Sequence, residues 1–96
     1  MLDLLRDANM NAVRMWGGGY IHPDYFYDFC DARGILVWQE FPLACANYDG
    51  GDSYLAVLRQ EADAIVRQLR THPSLMLWSG GNELFNSWSM MTPQSK

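Results

Sequence analysis

The sequence predicts a parallel α/β arrangement, α-β-α-β-α-β, and three observations carry that expectation. Three short apolar runs, Ala12 to Trp16, Ile35 to Trp38 and Leu75 to Trp78, lack the alternation of a half-solvated strand and read as strands buried on both faces. Each is preceded by a stretch with helical spacing, and a parallel pair of strands needs such a long crossover where an antiparallel pair does not. Each run also reaches a tryptophan and then gives way to glycine or polar residues. Trp16, Trp38 and Trp78 are therefore expected at the carboxyl edge of one sheet, where α/β proteins place their sites. Periodicity alone fits a barrel segment and an open doubly wound sheet equally.

Along the chain, Leu2, Leu4, Leu5 and Ala8 fit one face of a short helix that ends at Asn9. Ala12-Val13-Arg14-Met15-Trp16 is the first strand, stopped by Gly17-Gly18-Gly19. Pro23 suits the first turn of a second helix, whose apolar face is Tyr25, Phe26, Phe29 and Cys30 and which Gly34 closes in a left-handed conformation. Ile35-Leu36-Val37-Trp38 is the second strand. Gln39 to Asp52, with Pro42, Asn47, Gly50 and Gly51 and no period, reads as a long loop of the kind that is more often functional than idle. Asp52 or Ser53 caps a third helix, the most clearly amphipathic of the three. In it Leu55, Leu58, Ala62, Ile65, Val66 and Leu69 recur at three and four, while Arg59, Gln60, Asp63 and Arg67 face away. Pro73 ends it, Leu75 to Trp78 form the third strand, and Ser79-Gly80-Gly81-Asn82-Glu83 turns the chain out. No linker or low-complexity stretch divides residues 1–96, so one unit is the simplest reading.

Composition narrows the function. A chain of 96 residues, 49% hydrophobic and 19% charged, is that of a folded segment rather than a disordered tail. A closed α/β barrel takes about 250 residues, so barrel-like signals here are expected to belong to a piece. Lys+Arg 7 against Asp+Glu 11 gives a net charge of -4, and no stretch joins basic residues to exposed aromatics. Nucleic acid is therefore not expected as a partner, nor is an anionic membrane. No apolar run approaches the roughly 20 residues of a bilayer span, and MLDLLRD is acidic where an export signal would be basic, so none is expected. Cys30 and Cys45 are too few for a disulfide framework and read as free thiols, which leaves the compartment open.

Most familiar chemistries fail on spacing. The glycine run breaks the G-x-G-x-x-G pattern at His22 and no G-K-[ST] follows, so it reads as a turn needing either positive backbone dihedrals or close approach of another group. His22, His72, Cys30 and Cys45 lack paired metal-ligand spacings, so no metal and no other cofactor is called for; His72, beside Pro73, reads as a helix-end residue near the last carbonyls. Ser79 lacks a nucleophile elbow. Of the three glutamates, Glu61 falls on the polar side of a helix, whereas Glu40 and Glu83 both follow a buried strand at one sheet edge. Carboxyl groups supplied from the ends of different strands are what glycoside hydrolysis needs: an acid for the leaving oxygen and, for retention, a second carboxylate about 5 Å away. The same placement also suits a cap or a salt bridge.

Asn11 to Gly19, Asp24 to Asp31, Gly34 to Phe41, His72-Pro73-Ser74 and Trp78 to Glu83, in that order, closely resemble the catalytic TIM barrel, a (β/α)8 fold, of glycoside hydrolase family 2, nearest to its β-mannosidase branch. The resemblance implies that this chain is an internal segment holding the second, third and fourth of eight strands of a retaining exo-β-glycosidase. It implies Glu83 as general acid/base, Asn82 on the sugar 2-hydroxyl, Arg14 near the nucleophile, and Trp16 and Trp88 as sugar-stacking candidates. Glu40, in the W-Q-[DE]-F segment, shapes the site rather than reacting. A wall of Trp16, Trp38, Trp78 and Trp88 is expected to desolvate Glu83 and raise its pKa. The chain reads Gly80-Gly81-Asn82-Glu83 where the β-mannosidase pattern is Gly-Asn-Asn-Glu. The family's nucleophile comes from the seventh strand, beyond Lys96, so the segment alone is expected to be inactive. The alternative is a non-catalytic α/β binding or assembly unit derived from a barrel. Either way, open sheet edges and uncovered aromatic faces predict self-association of the isolated segment.

Overall fold

A computed structural model describes residues 2–46, 48 and 50–84. Along them alternate α1 (Leu2–Asp7), β1 (Ala12–Met15), α2 (Asp24–Arg33), β2 (Leu36–Glu40), α3 (Asp52–Leu69) and β3 (Leu75–Ser79). The strands form one parallel sheet in the order β1-β2-β3, as the apolar runs and long connections predict. Ala12 lies opposite Leu36 and Met15 opposite Gln39. Between β2 and β3 the register slips once, after Val37 opposite Leu75, so that Trp38 meets Leu77 and Met76 is bulged.

The core lies on one side of this sheet. Tyr27 and Cys30 of α2, Ile35 and Val37 at β2, and Ile65 and Leu69 of α3 are its buried members, with Val13, Met15, Leu75 and Trp78 packed against them. Burying an apolar side chain of this size stabilises by roughly 1.5–3 kcal/mol, so these few contacts dominate the cohesion of the unit. Burial is one-sided, contrary to the expectation that each strand is covered on both faces. Along β2, Val37 and Gln39 are buried while Leu36 and Trp38 remain 40% and 38% exposed, and Leu77 of β3 is 38% exposed beside them. Both helices that supply buried residues, α2 and α3, join the face that carries Val37.

The helices differ from expectation in detail, each time for a local reason. On α1, Leu4 is 70% exposed and Ala8 lies outside the helix on the exposed side, so only Leu2 and Leu5 turn inward. Asn9 does end it, in the left-handed region at φ 65. On α2 the buried aromatic is Tyr27, not Tyr25, which is 74% exposed. The face is rotated because the Tyr27 hydroxyl donates to Gln39 Oε1 at 2.6 Å beneath β2. Burial pushes that phenol up to about 12, which keeps it a donor. Pro23 sits just before α2 as its N-cap, and Gly34 closes it at φ 67 with its N–H on the Cys30 carbonyl. The cap of α3 is Gly51 rather than Asp52 or Ser53, and Asp52 instead places a carboxylate in the first turn, where the helix dipole favours it. The α3 face deepens toward its end: Ile65 and Leu69 are buried, Leu55 is 46% exposed.

His72 does more than finish a helix. Its backbone N–H reaches the Leu69 carbonyl at 3.0 Å, but its ring Nδ1 lies 2.6 Å from Asp31 Oδ2, and the Ser74 N–H donates to Asp31 Oδ1 at 2.9 Å. Asp31 thus ties α2 to the entry of β3. Burial works to raise this carboxyl, yet the hydrogen bonds from Ser74 and His72 outweigh it and hold the group below its ordinary range.

The two cysteines occupy opposite environments. Cys30 is wholly buried and Cys45 exposed, both as free thiols. Burial, with the nearby Asp31 charge, pushes the Cys30 thiol up. A thiol-reactive chromophore added to the native chain should therefore label one cysteine promptly and the second only in denaturant. Two fast-reacting thiols would show that the α2 core face is open.

Candidate active site

The carboxyl ends of all three strands meet at one edge, and the long loop after β2 is the reason. Residues 41–45 do not wander; they follow the chain leaving β3. The Phe41 N–H donates to the Ser79 carbonyl at 3.0 Å, the Asn82 N–H to Leu43 at 2.9 Å and the Cys45 N–H to Asn82 at 3.0 Å, with Ala44 and Asn82 forming a parallel bridge. The Tyr48 hydroxyl braces this turn by accepting the Ala44 N–H at 2.8 Å and donating to the Ala44 carbonyl at 3.2 Å. Asn82 is in this way held beyond β3 by backbone hydrogen bonds, with Glu83 the next residue along the chain.

Gly17 and Gly18 are explained by close approach, not by positive dihedrals, since no residue of the Gly17-Gly18-Gly19 run has a positive φ; a Cβ on Gly19 would meet only an ordinary contact, 3.6 Å from the Trp16 carbonyl oxygen. A Cβ on Gly17 would stand 2.6 Å from the Leu43 carbonyl oxygen and 2.7 Å from that of Phe41. At Gly18 it would stand 2.2 Å from the Trp16 ring, which lies across that residue. Gly81 has the same relation to the loop: its Cβ would be 2.9 Å from the Leu43 oxygen, which is why a side chain has no room there.

Within this frame the polar groups form one connected set. Glu40, at the end of β2, is 2% exposed and both its oxygens are used: Oε2 accepts from Arg14 Nε at 2.6 Å and Oε1 from the Gly17 N–H at 2.8 Å. The guanidinium of Arg14 lies 5.5 Å above the centroid of the Trp38 ring, and its Nη2 donates to Asn82 Oδ1. Asn82 Nδ2 in turn donates to Cys45 Sγ at 3.3 Å, and that thiol is 4.0 Å from Glu83 Oε2. Glu83 is exposed, in the left-handed region at φ 51.

Arg14, Asn82 and Glu83, chosen from the sequence, therefore stand together, and Trp16 is 54% exposed at the same edge. Trp88 lies outside the described residues. Of the expected tryptophan wall, Trp78 stacks on Phe41 at 5.2 Å on the core side and Trp38 lies beneath the Arg14 guanidinium. One contributor escaped the sequence reading: Cys45, a lone thiol in an aperiodic loop. Glu40 is expected from the sequence to shape the site, and the structure adds that both its oxygens are engaged. Elsewhere, Asp28, Asp31 and His72 place possible ligand atoms within 4.8 Å of one another, an aspartate arrangement to which histidine and cysteine spacing is blind.

What this edge offers chemically is an exposed carboxyl group, a fixed cation and an oriented amide. Glu40 has no free oxygen with which to attack.

The profile described as "Glycosyl hydrolases family 2, TIM barrel domain" matches residues 2–92. The chain belongs to glycosyl hydrolase family 2. Relatives similar to it include the beta-mannosidase of Capra hircus, 47% identical over 83 residues, and that of Mus musculus, 46% identical over 92; these cover 86% and 92% of the chain. The chain spans 9% and 10% of the length of those two relatives. In structure it is similar to the beta-D-mannosidase of Dictyoglomus thermophilum, with a TM-score of 0.82 at 43% identity over 84% of this chain and 10% of that one. The three parallel strands are thus a part of a TIM barrel domain.

The glycine contacts make a paired prediction. Gly17→Ala should lower stability by about 1–3 kcal/mol in urea unfolding, because its neighbours are backbone carbonyls that cannot yield. Gly18→Ala should cost clearly less, since an exposed indole can swing aside. Equal costs would contradict the packing described.

Proposed function

We propose that the chain is a segment of the catalytic barrel of a retaining, exo-acting β-mannosidase-like glycosidase, that its strands are the second to fourth of eight, and that Glu83 is the general acid/base. The observation that carries this reading is the meeting of Arg14, Asn82 and an exposed Glu83 at the carboxyl edge of the sheet. Identity of 46–47% to proteins named beta-mannosidase supports the substrate class, terminal β-linked mannosides.

In the reaction so read, a nucleophilic carboxylate from another part of the barrel attacks the anomeric carbon while Glu83 gives its proton to the departing glycosidic oxygen. Glu83 then takes a proton from the water that attacks the glycosyl-enzyme, and the sugar leaves with its configuration retained. Arg14 lends a fixed positive charge near the nucleophile, which favours its ionised form. Asn82 holds the 2-hydroxyl. Trp16, lying across Gly18, offers an aromatic face to the sugar. With the nucleophile supplied elsewhere, the segment alone turns over no substrate.

The alternative, an assembly unit of barrel ancestry, draws support from the exposed side of the sheet, where Leu36, Trp38, Met76 and Leu77 are 38–46% exposed. The same apolar side favours self-association of the isolated chain.

The two readings part in the full-length protein that carries the chain. Glu83→Ala should slow hydrolysis of substrates with poor leaving groups by orders of magnitude more than activated aryl glycosides, because only the former need the proton. Azide should restore part of the turnover of activated substrates, and should not do so in Arg14→Ala. Equal loss on both substrate kinds, with no azide rescue, would remove Glu83 from the acid/base role.

A further inference from the structure

We propose that Glu40 is a positioning residue which, acting through Arg14, determines which way round the Asn82 amide faces and so makes Asn82 a hydrogen-bond donor to a substrate hydroxyl. The inference deepens the glycosidase reading and rests on it.

An asparagine amide has an accepting oxygen and a donating nitrogen at nearly the same distance from the backbone, so a site that uses it must settle its orientation. Here Arg14 settles it. A guanidinium has donors only, and its Nη2 faces Asn82 Oδ1. Turning the amide over would set its NH2 against those donors, losing a charge-assisted hydrogen bond and placing donor hydrogens against donor hydrogens. With the oxygen taken, Nδ2 keeps one hydrogen for Cys45 Sγ at 3.3 Å and has one left for a ligand. A hydroxyl oxygen accepts it.

Arg14 can impose this only if it is itself held. Its side chain is 47% exposed, on a strand with solvent on that side, and a free arginine there has many rotamers. What holds it is Glu40, whose carboxylate side chain is 1% exposed and fixed at its other oxygen by the Gly17 N–H. The order of restraint is Gly17 to Glu40 to Arg14 to Asn82, and it crosses the ends of all three strands. Glu40 needs no contact with substrate to act in this way.

The test uses the full-length protein, an aryl β-mannoside and its 2-deoxy analogue, and reads the ratio of their kcat/KM values. Asn82→Ala should lower that preference for the 2-hydroxyl about tenfold or more. Glu40→Gln should lower it by a comparable factor, chiefly through kcat because contacts to this hydroxyl strengthen in the transition state. The double variant should lose no more preference than Asn82→Ala alone, since both act on one hydrogen bond. Arg14→Lys, which keeps the charge opposite Glu40 but lacks the fork that reaches both partners, should behave like Glu40→Gln and decides the matter if that variant fails to fold. A Glu40→Gln enzyme that loses rate equally on both substrates, losses in preference that add in the double variant, or full preference in Arg14→Lys would overturn the role of Glu40 while leaving the glycosidase reading intact. If the parent hydrolyses no β-mannoside, or Asn82→Ala leaves the preference unchanged, the sugar reading fails and this proposal with it.

Discussion

A buried carboxylate is the constraint around which the edge of this sheet is arranged. Removing Glu40 from water carries a desolvation cost of several kcal/mol, which is offset only if its oxygens are well satisfied. They are, by the Arg14 guanidinium and the Gly17 N–H. Both partners come from β1 and its exit, so the ion pair fastens the end of one strand to the end of its neighbour. The glycine at position 17 follows from the same need, because only a residue without a side chain lets its N–H approach Glu40 beneath the Phe41 and Leu43 carbonyls.

The third strand is fastened differently. Backbone bonds between residues 41–45 and 79–82 extend the β2–β3 pairing past the strands and bring Asn82 to Arg14. Below the edge, apolar burial on a single side supplies the rigidity, with Tyr27 joined to Gln39 and Asp31 joined to Ser74 and His72 where helices meet strands. Polar residues therefore mark junctions and apolar residues fill the space between them. Glu83 differs: it follows the backbone-bonded Asn82 and its carboxyl is exposed, with the Cys45 thiol 4.0 Å away.

The order of elements is legible in the sequence because three short, largely apolar runs and three helical spacings leave few alternatives. Which faces are buried is not. An apolar run such as Leu36-Val37-Trp38 looks the same whether one side or both are covered, and only the placement of α2 and α3 on a common face decides it. The sequence points to a face of α2 that includes Tyr25, and the hydrogen bond of Tyr27 to Gln39, a strand away, goes with a rotation that buries Tyr27 in its place. Around the site, motif resemblance places Arg14, Asn82 and Glu83, since those residues sit at fixed offsets from strand ends. It marks Glu40 as shaping the site but does not say how, because the engagement of both oxygens depends on Arg14 and Gly17, 26 and 23 residues away.

The Arg14 Nε–H reports most directly on this account. It donates to a carboxylate that is itself buried, so its nitrogen-15 resonance should appear resolved from other arginines and exchange slowly with solvent at neutral pH, and Glu40→Gln should abolish that protection. An Arg14 Nε–H that exchanges as fast as those of Arg59 and Arg70, which are exposed on and after α3, would mean that Glu40 does not hold the guanidinium and that the edge is organised by something else.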